Sequence, residues 1–421
     1  MPIDVTNWRT KELSLDQVAE KYPDIPYLVL LKIDVHRRGL VYSEKALKAV
    51  DSSIHLLQAV NINTDEKLSA PLGLLLRDGS SIVRTHLKTY PFHREPYTVD
   101  YIDGKFVLTD EGKILEEVFP WEKPDFWDKK TSRGTPMNQV AMVRSQRFEV
   151  HPNLVCHFWD NPHDGCKYCN LFSVHKNDAG NGYPPEFWED IKETAAEAFK
   201  QPGRYANVHM TAGSLITGKE TFDDELEIYI KAIQAVGSAL EKQWIPMQIV
   251  ASPFNDRQLK RLKNETGITS FDSDIEVLNP KVFEWICPGK AKLLGHEEWK
   301  NRIIHAVEVF GRGRVNTGVV VGVELAEPHG FTSEDEAFED TMKRAEEFTK
   351  NGVALTVNIW TPCVGSILFK QNNPSLDYYV RVIRGFHELH KKYHLSIIPD
   401  DWRRCGQHPN LDLDRLIDFD D

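Results

Sequence analysis

The sequence contains no run of apolar residues approaching the roughly 20 needed to cross a bilayer, so no membrane-spanning helix is expected. Its opening stretch, MPIDVTNWRTKELSLDQ, has neither a basic leader nor an apolar core, and no secretory signal is expected there. Basic charge is in deficit: 51 Lys and Arg against 63 Asp and Glu give a net charge of −12. A dedicated nucleic-acid surface needs clustered cations, so that class of partner is not expected. Cysteine is scarce, with six residues unevenly spread over 421. That usage fits thiols kept reduced in a cytoplasmic chain, open to metal or chemistry, better than a disulfide framework. Low-complexity tracts and strict internal repeats are also missing.

What is present is ordinary in bulk: 41% hydrophobic and 27% charged residues, in a length suited to two or three domains. Residues 1–145 read as a mixed α/β domain. PYLVLLKIDV and PLGLLLRDG look like buried strands, and SEKALKAVDSSIHLLQAV has a helical apolar period. YTVDYIDGKFVLT predicts two alternating strands joined at Asp103-Gly104, a pair suited to positive φ. The segment 119–136, rich in Pro, Gly and charge, reads as a linker. Beyond it strands and helices alternate. RFEVHPNLV, YANVHMTAGS, PMQIVAS, ITSFDSDIEVL, VNTGVVVGVE and ALTVNIWTP each precede a helical pattern. A short strand, LSIIP, is expected near the end. This order predicts a full or partial (β/α) TIM-type barrel of six or seven parallel strands, with its core over 146–365 and an extension at 366–421 that completes it. Chemistry on such a scaffold gathers at the C-terminal ends of the strands.

The stretch CHFWDNPHDGCKYCNLF, Cys156–Phe172, follows the first of these strands and spaces three thiols as C-x9-C-x2-C. A C-x2-C pair is compatible with zinc, redox chemistry or iron–sulfur. Zinc needs a fourth ligand, which His157, His163 or His175 would supply. A thioredoxin-like pair leaves Cys156 idle and lacks its strand context. Buried, unliganded cysteines fit poorly with the polar, loop-like intervening residues. An iron–sulfur cluster held by three thiolates leaves one iron open to a substrate or cofactor. The residues alone leave iron–sulfur and zinc both standing.

Cys156, Cys166 and Cys169, with Tyr168 before the last, resemble the cluster loop of radical S-adenosylmethionine enzymes. That family usually spaces its ligands C-x3-C-x2-C. The nine-residue gap is similar to that of the catalytic subunit of Elongator, whose acetyltransferase domain has no counterpart here. The resemblance, of biotin-synthase type, extends over residues 147–400. MTAGS ends the second strand where the family meets the methionine amino group, which implicates Thr211, Gly213 and Ser214, although the usual carboxylate is missing. SFDSDIEVL carries Asp272, Asp274 and Glu276 on one strand face. By likeness Asp274 and Glu276 approach the ribose or a cationic substrate group. Arg302 matches an arginine that pairs with the methionine carboxylate, its alternative being a surface partner of Glu298. GVVVGVE (Gly318–Glu324), with Val320 at its third position and Glu324 one position early, is similar to the family's fifth-strand motif. NIWTPCVGSIL resembles the sixth-strand segment along adenine.

The resemblance implies a 4Fe-4S cluster and S-adenosylmethionine, reduced by flavodoxin or ferredoxin. The sulfonium is then cleaved to a 5′-deoxyadenosyl radical that abstracts hydrogen from a small-molecule or peptide substrate. Two alternatives are transfer or cleavage of the 3-amino-3-carboxypropyl arm at such a cluster, and a non-catalytic binding protein stapled by zinc. Cys287, Cys363 and Cys405 follow later strands; Cys363 and Cys405 are candidate catalytic thiols, and all three are candidate ligands of an auxiliary cluster, although simple packing suits a free cysteine too. DVHRRG (Asp34–Gly39) fits a cobalamin signature of only three fixed letters and reads better as a solvent-facing strand end. HELHKKYH places His387, His390 and His394 on one helix, best read as a basic amphipathic surface rather than a metal face. GRGR ends a helix at Gly311.

Overall fold

The computed structural model describes residues 4–60, 67–83, 93–144, 146–170, 187–240, 245–395 and 406–415. In the N-terminal part, PYLVLLKIDV forms a helix, α1 (Tyr27–Arg38), and not the expected strand. A short apolar run suits either element by period alone. Here Leu28 through Arg38 are all buried, and Gly39 ends the helix at φ 92. The last turn of α1 is the DVHRRG stretch, and it is no solvent-facing strand end. Asp34 accepts from Arg37 Nε at 2.6 Å and from the Tyr97 hydroxyl at 2.5 Å, while Arg38 reaches Asp110 at 2.7 Å. Burial pushes the Asp34 carboxyl up, but the two guanidiniums more than offset this and hold it below its usual range.

Behind α1 lies a four-stranded sheet of β1 (Leu40–Tyr42), β2 (Tyr97–Ile102), β3 (Lys105–Asp110) and β4 (Lys113–Glu117) in that order. The β2–β3 hairpin turns at Asp103 (φ 50) and Gly104 (φ 81), as the sequence predicts. SEKALKAVDSSIHLLQAV divides into a helix at Glu44–Ala49 and a strand at Leu56–Val60. PLGLLLRDG contributes the last residue of the strand Lys67–Pro71 and the two-residue strand Leu74–Leu75. The segment 119–136 is no loose linker: Trp121 and Phe126 are buried, and the Phe126 ring packs edge-on against Phe148.

The main sheet has seven strands in sequential order: β5 (Ala141–Arg144), β6 (Arg147–Val150), β7 (Asn207–Thr211), β8 (Met247–Val250), β9 (Phe271–Asp272), β10 (Val315–Val321) and β11 (Val353–Ile359). The β5–β6 pair is antiparallel, and β6 to β11 are six parallel strands. Helices cover the outer face: α2 (Phe187–Ala198), α3 (Asp223–Ala239), α4 (Asp256–Thr266), α5 (Pro280–Ile286), α6 (Pro288–Leu293), α7 (Gly295–Phe310), α8 (Glu334–Lys350) and α9 (Leu376–Lys392). As GRGR suggests, α7 ends at Gly311 with φ 100. The strands alternate. Phe148, Val208, Ile249, Phe271 and Val315 are buried in the hydrophobic core, whereas Arg147, Glu149, His209 and Asp272 face an inner cavity. LSIIP, beyond its first residue Leu395, lies outside the described residues. No helix among the described residues is long and apolar enough to cross a membrane.

Among the described residues β11 has no strand on its outer edge, so the barrel is partial and its edge groups need other partners. Side chains supply them. The Leu355 N–H donates to His390 Nε2 (2.9 Å), Asn410 bonds both Leu355 O (2.8 Å) and Val357 N (2.9 Å), and His408 Nδ1 meets Val357 O at 3.0 Å. Asn410 belongs to α10 (Pro409–Asp414), which also carries Asp414 between His387 (2.9 Å) and His390 (2.8 Å). His390 is thus a buried edge cap, a correction to the basic-surface reading, because its carboxylate partner is supplied from far along the chain. Lys32 of α1 and Asp412 of α10 form an ion pair at 2.6 Å with both side chains at 0% exposure.

Removing one member of such a pair strands the other, at a cost of about 3–5 kcal/mol. Lys32→Met is therefore expected to lower the urea midpoint sharply, and Lys32→Met/Asp412→Leu to recover most of the loss. A double variant no more stable than the single one would show that this pair does not hold α10 in place.

Candidate active site

The loop after β6 carries the three thiols. His157–Trp159 form one 3-10 turn, with Phe158 and Trp159 only 5% exposed. Asn161 then closes a side-chain turn onto His163 N (3.1 Å) and Asp164 (3.1 Å). Gly165 is required because a Cβ there would lie 2.3 Å from the Trp159 ring. The nine intervening residues are therefore a folded plug. It is tied to the α5–α6 corner through Lys167 N to Ile286 O and Gly289 N to Asp164 O, both 2.9 Å. Trp159 reaches the site, and His163 stays exposed.

The loop after β7 packs directly on this plug. Asn153 accepts from Val155 N (3.0 Å), and its amide donates to Val155 O (2.6 Å) and Gly213 O (3.2 Å). His157 N bonds Ser214 O at 2.9 Å. A Cβ on Gly213 would sit 2.3 Å from Val155 O and 2.8 Å from Cys156 Cβ, so only glycine allows this approach.

Between the loops lies a cavity of about 220 Å³. Cys156, Cys166, Cys169, Tyr168, Thr211, Gly213, Ser214, Asp274 and Glu276 all line it, so nine of the residues singled out from the sequence come together. The others stand apart. Arg302 bonds Glu298 (2.7 Å) and Pro253 O (3.3 Å) and does not reach the wall, which agrees with its surface-partner reading. Val320 is a core residue whose N–H donates to Glu276 O at 2.8 Å. Cys363 Sγ lies 3.7 Å from Tyr168 O, against the back of the thiol loop. Cys405 lies outside the described residues. Glu324 turns into the core, bonded by the Tyr378 hydroxyl and by Gly322 N (2.7 Å).

Sequence reasoning missed several wall residues. Lys290 is buried, its ammonium 2.9 Å from Glu276, 3.0 Å from Asp274 O and 4.6 Å over the Trp299 ring. Burial works against its charge, but Glu276 and the Cys166 and Cys287 thiols raise its pKa above the usual lysine value. Cys287, buried beside Cys166, lowers the Cys166 pKa by hydrogen bonding, and Lys290 adds to that effect. Cys156 is instead pushed up to about 11 by burial and by its neighbour Cys166. Glu276 sits at φ 68 as a single-residue bridge to Val319, strain that places its carboxylate against Lys290. Glu225, from the first turn of α3, reaches back beneath the loops. It accepts from Leu215 N (3.0 Å), Ser252 N (2.7 Å) and Ser252 Oγ (2.8 Å), and that hydroxyl lies 3.0 Å from Ser214 Oγ. An acidic first turn ordinarily reads as a solvated helix end, so nothing in the sequence marks this carboxylate.

Among the described residues no three His, Cys, Asp or Glu side chains converge as the shell of a single metal ion. A cluster is a larger object, whose thiolates bind separate irons and need not meet at one point.

No protein-family profile matches the chain. The bacteriochlorophyllide c C-7(1)-hydroxylase of Chlorobaculum limnaeum is 23% identical over 381 residues, covering 87% of this chain and 86% of that protein. Methylornithine synthase, known from a crystal structure, superposes with a TM-score of 0.41 at 14% identity; the match covers 60% of this chain and spans 62% of that one.

Two expectations follow from the site. Gly213→Ala drives a methyl into backbone and is expected to cost about 1–3 kcal/mol. Gly237→Ala, on a helix face with nothing within 4 Å of the new Cβ, should be neutral or slightly stabilising in the same thermal melts. Burial lifts Glu225 and Glu324 to about 7 from an ordinary 4.5. Between those values the folded chain keeps protons that the unfolded chain releases, so stability is fullest at the acid end and falls as pH rises to about 7. The fall is up to about 3 kcal/mol per group. Urea titrations across the window should show this slope, reduced in Glu225→Gln and in Glu324→Gln; an undiminished slope in both would reject the assignment.

Proposed function

We propose that this chain is a radical S-adenosylmethionine enzyme of biotin-synthase type, with Cys156, Cys166 and Cys169 as the three protein ligands of a 4Fe-4S cluster. The observation that carries this reading is the convergence of those thiols with the Gly213 loop, Asp274 and Glu276 on one cavity at the C-terminal ends of β6 to β9. The donor set fits the group. Backbone N–H groups of Ser214 and Phe158 face Cys156 Sγ, and the Lys290 ammonium offsets negative charge at Cys166. Such a cluster, with S-adenosylmethionine and one electron from reduced flavodoxin or ferredoxin, supplies a 5′-deoxyadenosyl radical for abstraction of a substrate hydrogen.

The chain's own residues orient, neutralise and exclude water. Gly213 lets the second loop lie against Cys156, and Thr211 and Ser214 present hydroxyls to the cavity. Glu225 stands in for the carboxylate missing from MTAGS: by holding Leu215 N and Ser252 it fixes the two loops, and it does not itself line the cavity. Asp274, steadied by Gly318 N at 2.7 Å, and Glu276, held by Lys290, present carboxylates suited to hydroxyl groups of a nucleoside. Phe158, Trp159 and Trp299 keep one wall dry. The distant relative is named for hydroxylating a carbon, a reaction that replaces a C–H bond and so accords with hydrogen abstraction.

Anaerobic reconstitution followed by incubation with S-adenosylmethionine and dithionite tests the reading. Iron and sulfide in equal amounts and formation of 5′-deoxyadenosine are expected, with both lost in Cys166→Ala. Stoichiometric zinc without iron would overturn it in favour of a stapled binding protein, and 5′-methylthioadenosine as the product would point to aminocarboxypropyl chemistry.

A further inference from the structure

A buried thiol that bears no metal usually packs and does nothing more. Cys287 is placed more narrowly than that. It is the junction of α5 and α6, with its N–H donating to Phe283 O (2.8 Å) and its carbonyl accepting from Ala291 N (2.9 Å), so the backbone on both sides fixes the direction of its side chain. This corner lies directly on the thiol loop. Lys167 N donates to Ile286 O and Gly289 N to Asp164 O, both at 2.9 Å, and the two bonds bracket Cys166 on one segment and Cys287 on the other. A Cβ on Gly289 would lie 2.5 Å from Asp164 O and 2.6 Å from the Phe158 ring, so only glycine lets the corner come this near. Cys287 is 0% exposed, is a free thiol, and shares one hydrophobic cluster with Cys166, Phe158, Phe283 and Ile286. The Cys287 and Cys166 side chains are hydrogen-bonded to each other. Cys166 lines the thiol cavity, whereas Cys287 does not. The second thiol therefore stands next to the Cys166 sulfur and off the cavity that a cluster would occupy.

We infer that Cys287 is a positioning residue that acts through Cys166: its S–H donates to the Cys166 sulfur, and that bond raises the reduction potential of the cluster the sulfur would hold. The inference rests on the radical enzyme reading and deepens it. A thiolate bound to iron keeps lone pairs that accept hydrogen bonds, and hydrogen bonds to the sulfurs are among the factors that set a cluster's potential. Each such bond favours the reduced state, because that state carries the greater negative charge. An apolar enclosure disfavours a second anion beside Cys166, so Cys287 keeps its proton and remains the donor. Lys290, three residues further on in α6, puts its charge in the field of the same sulfur but directs its hydrogen bonds to Glu276 (2.9 Å) and Asp274 O (3.0 Å). The directed bond to Cys166 is thus left to Cys287. Cys156 is met by backbone N–H groups of Ser214 and Phe158, which no substitution at those positions other than proline removes. Cys287 offers its bond from a side chain, so a change of one residue adjusts it. A higher potential eases entry of an electron and weakens the drive to pass it on, and this bond shifts the balance towards entry.

The test compares full-length wild-type protein with Cys287→Ala and Cys287→Ser, each reconstituted anaerobically and followed by EPR through a mediated redox titration of the cluster. All three are expected to take up iron and sulfide equally. At the wild-type midpoint, loss of the donor in Cys287→Ala should lower the ratio of reduced to oxidised cluster about three- to tenfold. Cys287→Ser, whose hydroxyl still donates, should stay within about twofold of wild type. A packing role alone would move both variants alike. Equal potentials in all three proteins, equal shifts in both variants, or a folded Cys287→Ala that holds no cluster would overturn the inference. Should Cys287→Ala not fold, infrared spectra decide. The loaded wild type is expected to show a thiol S–H stretch below that of a free thiol and missing from Cys287→Ser, and the lack of such a band would equally overturn the inference. A wild-type protein that takes up no iron and sulfide overturns the radical enzyme reading, whereas a cluster whose potential ignores Cys287 overturns this inference alone.

Discussion

A parallel sheet that stops short of closing leaves a row of backbone donors and acceptors on its last strand, and the chain is organised around satisfying them. At β11 the partners are side chains, His390, His408 and Asn410, which serve where a further strand would. That solution draws α10 onto the edge, and α10 in turn is fastened to α1 by the buried Lys32–Asp412 pair. Residues more than 350 positions apart in sequence thereby become neighbours at the barrel's seam. The same constraint explains why His390 on α9, which reads as part of a surface feature, is interior. An edge cap needs a side chain that accepts from an N–H on one side and donates to a carboxylate on the other, and a neutral imidazole does both.

The legibility of the sequence followed the range of the forces involved. Period-two strands, helix ends at glycine and the Asp103-Gly104 turn depend on neighbours within a few residues, and the structure agrees with them. PYLVLLKIDV did not follow its expected strand form because burial on all sides removes the periodic signal that separates helix from strand. Segment 119–136 reads as a linker by composition, yet Trp121 and Phe126 anchor it; two large rings outweigh several prolines and charges once an apolar surface is available. In the site, the thiols and the glycine loop were legible from residue type and spacing. Lys290 and Glu225 were not, since each looks like an ordinary charged helix residue until the packing of distant loops encloses it.

Enclosing them changes their chemistry. An ammonium in a nearly dry pocket is unfavourable unless anions surround it, and Lys290 has Glu276 and the cysteine sulfurs within its field. The relation is reciprocal: the same cation makes negative charge at Cys166 less costly. At Cys156 the same cation helps too little: burial and the neighbouring Cys166 outweigh it and push that thiol up to about 11. The three ligands are thus unequal before any metal arrives, with Cys166 the most readily ionised of the two whose shifts are resolved.

The long first gap between cysteines is the least usual feature of the loop, and packing supplies its reason. A three-residue gap would leave the ligands on a bare turn. Nine residues allow Phe158 and Trp159 to enter the core and Asp164 to meet the α5–α6 corner, which carries Cys287 and Lys290. The extra length therefore positions more than Cys156: it brings the plug against the element that supplies the pocket's cation. Lengthening a surface loop costs little in chain entropy, about 0.6 kcal/mol per doubling, whereas two buried aromatic side chains return several times that. The insertion is accordingly favourable on folding grounds alone, and its electrostatic consequence at Cys166 follows from where the aromatics have to pack.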